Sequence, residues 1–330
     1  MLKIGVLGVG HLGKIHIKCI QQTDCLELVG FYDPNDEHAS QVVDNHGVKR
    51  FYDIEELIDA VDIIDIVTPT ITHFELAHLA IQHNKHVFIE KPLTNTVEEA
   101  EILLEASNAH QVKVQVGHVE RFNPALLALE DTKLAPLFIE AHRLAVFNPR
   151  GTDVSVILDL MIHDLDIVLS LVNSEVKNIY ANGVSVVSDT PDIANVRLEF
   201  ENGCVANLTA SRISMKQMRK IRLFQQDAYI SLDFLEKNTQ VIRLYDEGSE
   251  DIPKDVPLMD LQTNNGKKHI HIHMPKTEPV NAIQMELETF AESILQNESP
   301  RVSIEDGYRA LKMAHRIIES IKNQTALNKV

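Results

Sequence analysis

A glycine spacing at the very start of the chain restricts the fold more than anything that follows it. Gly8-Val9-Gly10-His11-Leu12-Gly13 follows a strand-like apolar run, Lys3–Leu7, and opens a helix-periodic segment, His11–Gln22. A helix entered this way starts with backbone N–H groups that have no intrahelical partner and point at an anion. Gly8 permits the tight turn, Gly10 lets a phosphate approach the backbone, and Gly13 lets the helix pack closely on the strand. A glycine-rich turn without a ligand satisfies the same spacing, so the motif needs a second signal. Asp33 supplies it by ending the next strand pattern, Leu26–Tyr32, twenty residues after Gly13. A carboxylate there binds the adenosine ribose hydroxyls of a dinucleotide; the bland reading is a turn-forming Asp before Pro34. From Asp33 to Gln41 there is no Arg or Lys, while Asp36 and Glu37 add negative charge. A 2′-phosphate would be repelled, so the expected cofactor is NAD rather than NADP.

The first third of the chain repeats the strand-then-helix rhythm. Lys3–Leu7, Leu26–Tyr32, Ile63–Val67, His86–Ile89 and Val112–Val116 read as buried strands. His11–Gln22, Asn35–Asn45, His73–His83 and Val97–His110 read as helices. Such alternation builds βαβ crossovers and a doubly wound parallel sheet. After Arg121-Phe122-Asn123-Pro124 the rhythm changes. One helical stretch, Val156–Val172, precedes strand patterns at Lys177–Val187, Asn195–Phe200, Cys204–Ile213, Lys220–Phe224, Tyr229–Phe234, Thr239–Tyr245 and His269–His273. Asn202-Gly203 predicts a two-residue hairpin turn. Two helices, Asn281–Gln296 and Ser303–Lys322, close the chain. The expected organisation is an α/β dinucleotide-binding domain over residues 1–122 and an α+β domain over 123–330. The second holds a large, mostly antiparallel open sheet covered by helices. Gly248–Lys268, polar and interrupted by Pro253, Pro257 and Gly266, reads as an exposed excursion.

Composition narrows the function. A net charge of −17 over 330 residues argues against nucleic acid or anionic membrane as partner. Asp62 and Asp65 interrupt the richest apolar stretch, so no bilayer span is expected. The chain enters a strand at Leu2 without a signal-peptide pattern, and Cys19, Cys25 and Cys204 have neither metal spacing nor an even framework. A cytoplasmic protein with reduced thiols is expected.

Two strand ends carry polar motifs on the edge where ligands bind open α/β sheets. Val67-Thr68-Pro69-Thr70 with His73 closes one, and Glu90-Lys91-Pro92 closes the next. With the Gly117–Pro124 segment, Asp159-x-x-x-His163, Tyr229–Phe234 and a closing Glu278-Pro279 to Arg309-Ala310-Leu311 pattern, the chain resembles the Gfo/Idh/MocA oxidoreductases along its full length. The resemblance implies a Rossmann domain, a nicotinamide cofactor, a catalytic Lys91, Glu90 beside the cofactor, and a Lys91-Pro92 bond that is often cis. It also places Asp159 and His163 at the family's Asp and His positions. The expected NAD contacts are Gly8, Gly10, His11, Leu12, Gly13, Asp33, Thr68, Pro69, His73, Glu90 and Lys91. The expected catalytic set is Lys91, Asp159 and His163, joined by Arg121 for substrate binding, with no metal.

The residue types suit that chemistry. The Lys91 ammonium favours alkoxide character in a hydroxyl losing hydride. His163 titrates near neutrality and can take the hydroxyl proton. Asp159, His163 and Asp166 stand at i, i+4 and i+7 on an otherwise apolar helix, Asp166 reading as a scaffold residue. A solvated stripe and a metal pair lacking its third ligand are the competing readings. Many relatives carry consecutive glycines before the aspartate, whereas this chain has the bulkier Thr152-Asp153-Val154-Ser155-Val156-Ile157, which resembles a nucleotide-sugar 3-dehydrogenase subgroup. The expected reaction is NAD-dependent oxidation of a ring hydroxyl of a sugar or nucleotide-sugar, such as C3 of a UDP-N-acetylhexosamine. Oxidation of inositol or a free sugar is the alternative, and a cofactor- or sugar-sensing protein without catalysis is another.

Three further features stay open at this level. Arg121 binds an anionic part of the substrate, braces a hinge, or forms a plain salt bridge. Arg212, Lys216, Arg219, Lys220 and Arg222 either hold a diphosphate or form a solvated strand rim. His269, His271 and His273 alternate on one strand face, too far apart to share one ion, and suit an exposed edge or a subunit contact. An open sheet with an uncovered face suits a homodimer or homotetramer.

Overall fold

A computed structural model describes residues 1–148, 154–254, 256–264 and 266–327. The chain divides into two compact units, one of Met1–Phe122 with Asn281–Lys312, the other of Asn123–Val280 with Met313–Val330.

The first unit opens with β1 (Leu2–Leu7), α1 (His11–Gln21), β2 (Leu26–Tyr32), α2 (Asp36–His46) and α3 (Ile54–Asp59). It continues with β3 (Ile63–Ile66), α4 (His73–Gln82), β4 (His86–Glu90), α5 (Val97–His110) and β5 (Val114–Gly117). The five strands form a parallel sheet in the order β2-β1-β3-β4-β5. Strand order reverses between β1 and β3, so a crevice opens at their carboxyl ends, where such sheets take ligands. β3 is buried at every residue, as befits a parallel strand covered on both faces. Local signals end the helices. Thr96 and Glu99 form a reciprocal capping box at the start of α5, and Gly47 closes α2 at a φ of 65°.

The second unit contains the short α6 (Pro124–Leu127), β6 (Phe138–Leu144), a π-helical turn (Ile157–Met161) and α7 (Ile162–Leu171). Eight strands follow: β7 (Val176–Val184), β8 (Ile193–Phe200), β9 (Val205–Ser211), β10 (Met218–Phe224), β11 (Ala228–Asp233), β12 (Asn238–Asp246), β13 (Met259–Thr263) and β14 (Gly266–His273). They join β6 in a nine-stranded sheet ordered β13-β14-β12-β11-β10-β6-β9-β8-β7, antiparallel except for the β6–β9 pair. Alternation along the strands sets one face against the core: β8 buries Ala194, Val196, Leu198 and Phe200 in turn. These pack with Ile157, Met161, Leu165 and Val168 of the helical layer.

The last helices are α8 (Ala282–Leu295) and α9 (Ile304–Leu327). Residues 281–312 cluster with the first unit, although the sequence reading placed them in the second domain. The cause is packing: Leu287, Phe290 and Ala291 of α8 enter the core formed by Ile4, Val6, Ile17 and Phe88.

Three other expectations change. The excursion at 248–268 contains β13, which pairs with β14 from Met259↔Ile270 to Thr263↔Gly266. Met259 and Leu261, two apart, are the strand signal in that polar stretch. Consequently β14 is an inner strand and its histidines do not line an edge. The Asn202-Gly203 turn is a three-residue loop, with Gly203 at a φ of 86° and its N–H donating to Phe200 O. That is a turn closed by a left-handed glycine rather than a two-residue hairpin.

Candidate active site

The glycine turn is built as its spacing requires. Gly8 has a φ of 88°, a region β-carbons disfavour. A β-carbon on Gly13 would stand 2.0 Å from Gly8 O, so α1 can lie on β1 only without one. At Gly10 a β-carbon would meet nothing within 4 Å, which leaves the backbone open to a ligand. Gly10 caps α1 without a side-chain hydrogen bond, and the first turn holds no acidic residue to neutralise the helix terminus.

A cavity of about 720 Å³ lies over this turn, lined by Gly8, Gly10, Leu12, Asp33, Thr68, Pro69, Glu90 and Lys91 among others. Asp33 is nearly buried at its rim. Its Oδ2 accepts the Val9 N–H at 2.7 Å and its Oδ1 the Asn35 N–H at 2.8 Å. Arg50 stands beside it, donating to Asp33 O at 3.0 Å and pairing with Asp36 at 2.7 Å. The stretch from Asp33 to Gln41 gave no hint of this cation. It arrives through the isolated bridge between Phe31 and Arg50, beyond α2.

His11 and His73 do not line the cavity. His11 is exposed at the head of α1. His73 is buried, its ring nitrogens each 2.9 Å from a carbonyl oxygen, Pro92 O and Thr68 O. Burial pushes its pKa down, against the pull of those two carbonyls. It braces the two motif loops against each other from beneath. Lys91 is half-buried, precedes a cis bond to Pro92, and its N–H donates to Glu90 Oε2 at 3.1 Å. Arg121, in the turn after β5, lies 3.7 Å from Asp306.

In the second unit Asp159 lies in the π-helical turn and His163 at the head of α7, both half-buried. The wide turn interrupts the expected single helix, a distortion common at functional sites. Asp166 is buried. Asp164, which lies off the Asp159–His163–Asp166 stripe, forms a buried fork with Arg143 of β6: Nε donates to both carboxylate oxygens at 3.1 Å and Nη2 to Oδ1 at 2.8 Å. Its signal was legible, because Ile139, Ala141 and Arg143 share the inward face of an alternating strand. Three residues of the basic cluster are engaged within the sheet. Arg212 is buried, donates to Val154 O and lies 3.7 Å from Asp192; Lys220 pairs with Asp233 at 2.9 Å and Arg222 with Glu140 at 3.3 Å. Of the bulky stretch before Asp159, Thr152 and Asp153 lie outside the described residues.

Residues 2–118 match the family described as an NAD-binding Rossmann-fold oxidoreductase family, and residues 141–230 match the GFO/IDH/MocA C-terminal domain. The chain is 40% identical over 253 residues to a UDP-N-acetylglucosamine 3-dehydrogenase of Acidithiobacillus ferrooxidans, covering 76% of this chain and 79% of that one. The chain belongs to the Gfo/Idh/MocA oxidoreductase family. A solved structure of the Acidithiobacillus protein superposes with a TM-score of 0.87 and 33% identity, over 98% of both chains. A myo-inositol 2-dehydrogenase of Thermotoga maritima is 25% identical, covering 99% of this chain and 98% of that one. As a Gfo/Idh/MocA member the chain is an NAD-dependent oxidoreductase. Its own residues fit that dinucleotide: the turn is open at Gly10, the helix terminus carries no acid, and Asp33 stands at the rim. Among the described residues no helix is long and apolar enough to cross a membrane.

Proposed function

We propose that this chain oxidises a ring hydroxyl of a nucleotide-sugar, with C3 of a UDP-N-acetylhexosamine as the preferred position. The observation that carries the substrate class is the 40% identity to a UDP-N-acetylglucosamine 3-dehydrogenase. NAD supplies the hydride acceptor. The C–H bond of the carbinol breaks with its electron pair, the O–H bond gives up its proton, and a ketone and NADH result. Lys91 places an ammonium against the hydroxyl oxygen and stabilises the charge that develops there. His163 accepts the proton and Asp159 orients the hydroxyl. Gly8, Gly10, Leu12 and Gly13 form the phosphate turn, Asp33 takes the adenosine ribose, and Thr68, Pro69 and Glu90 border the cofactor. His73 acts through the two loops it braces, and Arg121 through Asp306. A homo-oligomer built on the open sheet of the second unit belongs to the same proposal.

Isotope transfer tests the position. UDP-N-acetylglucosamine deuterated at C3 should deliver its label to NADH and show a primary isotope effect. A ketone product that keeps the deuterium would contradict the assignment to C3. Myo-inositol turned over in place of UDP-sugars would overturn the substrate class and leave the centre intact.

A further inference from the structure

Beneath the cavity of the first unit lies a buried polar group that hydride transfer does not by itself require. His16 of α1, Asp65 of β3 and Glu286 of α8 are wholly buried, and Glu90 at the end of β4 nearly so. His16 Nδ1 is 3.0 Å from Asp65 Oδ2, and its Nε2 is 3.2 Å from Glu90 Oε1. The nearest oxygens of Glu90 and Glu286 and a ring nitrogen of His16 all lie within 4.8 Å of one another. The other Glu90 oxygen accepts the Lys91 N–H. Gly117 on β5 leaves the room this needs, because a β-carbon there would stand 2.9 Å from the Glu90 carboxyl carbon.

We propose that His16 is a positioning residue: held between Asp65 and Glu90, it fixes the Glu90 carboxylate and, through the Lys91 amide, the turn that presents Lys91. The same side chain ties that turn to α1, the helix that begins at the phosphate-binding glycines. The inference rests on the dehydrogenase reading for its kinetic consequence and on geometry alone for its charge state. Asp65 is hydrogen-bonded to Nδ1 and the Glu90 carboxylate lies 3.2 Å from Nε2 without an aligned hydrogen bond, so a negative oxygen stands near each ring nitrogen and the pair favours the imidazolium. Burial pulls the His16 pKa down, but the charge and hydrogen bond of Asp65, aided by Glu90, lift it well above its ordinary value. Burial raises the Asp65 carboxyl, with His16 pulling it back. Burial and then the Glu90 charge push Glu286 well above its ordinary value, which favours its neutral form. An imidazolium also has no lone pair left for a metal ion.

Nitrogen NMR of protein labelled in histidine, without substrate, reads the charge directly. The resonance lost in His16→Gln should show both nitrogens protonated at about pH 8, where an ordinary histidine is neutral. Glu90→Gln should move it toward the neutral form. His16→Gln should lower kcat about tenfold or more while leaving the KM for NAD within about threefold, the signature of lost positioning rather than lost binding. The pH profile of its kcat should change as well, because a buried positive charge beside the Glu90–Lys91 turn is lost. A neutral His16 in the native protein would overturn the proposal, as would a folded His16→Gln protein with unchanged kcat and pH profile. So would one equivalent of zinc bound by the native protein and lost in that variant. The NMR result stands even if no sugar is oxidised, so failure of the substrate reading and failure of this inference remain separable.

Discussion

Single residues carry the cofactor turn and the chemistry, and two substitutions examine them separately. Gly13→Ala puts a methyl group 2.0 Å from Gly8 O, a backbone atom that cannot step aside. It should cost about 1–3 kcal/mol of stability by thermal unfolding and weaken NAD binding by calorimetry; an unchanged melting temperature would mean that α1 does not pack on β1 as described. Lys91→Ala should lower kcat by about 10²–10⁴ while leaving the NAD dissociation constant near its native value. At this scale the sequence was informative where chemistry and spacing coincide, as in Gly8, Gly10, Gly13 and Asp33. It was silent where partners are distant or anonymous. The partners of His73 are two carbonyl oxygens, which any residue provides. Arg50 reaches Asp33 only because a short bridge returns the chain to β2.

Elements hold these residues in place, and the Arg143–Asp164 fork is the clearest joint between two of them. It links β6 to α7, the helix whose first turn carries His163. Arg143→Met should destabilise the protein by about 3–5 kcal/mol in denaturant unfolding, because the Asp164 carboxylate keeps its charge in the core while losing the guanidinium fork that balances it. Adding Asp164→Leu should recover most of that loss; a double variant as unstable as the single one would show that the fork contributes more than charge compensation. Element type was legible wherever periodicity ran long, as in α1, α5 and the strands of the first sheet, whereas β6 and β13 of the second sheet were not anticipated. The π-helical turn at Ile157–Met161 was not legible, since one extra residue per turn leaves no mark in a run whose only polar residue is Asp159. β13 was hidden because its two alternating apolar residues, Met259 and Leu261, are a short signal in a polar, proline-interrupted stretch.

Across the whole molecule, buried charge predicts how stability follows pH. His16 has a folded pKa above its ordinary value, so its stabilisation is complete below about pH 6.5 and is lost as pH rises through the folded value. Glu286 is also raised, and a neutral buried acid likewise loses its contribution as pH climbs above the unfolded value. The melting temperature should therefore fall between about pH 6 and 9, and Glu286→Gln should flatten that fall; a profile that rises over this range would contradict the charge assignment. The two-unit architecture was legible from the change of rhythm after Phe122. The return of Asn281–Lys312 to the first unit was not, because amphipathic helices say that they pack but not on what. The most direct test of the central claim mixes purified protein with NAD and UDP-N-acetylglucosamine and follows NADH by its absorbance. NADH should form, reduction should be far slower with NADP in place of NAD, and Lys91→Ala should slow it by about 10²-fold or more; no NADH with any UDP-sugar, or formation undiminished in that variant, would contradict the account.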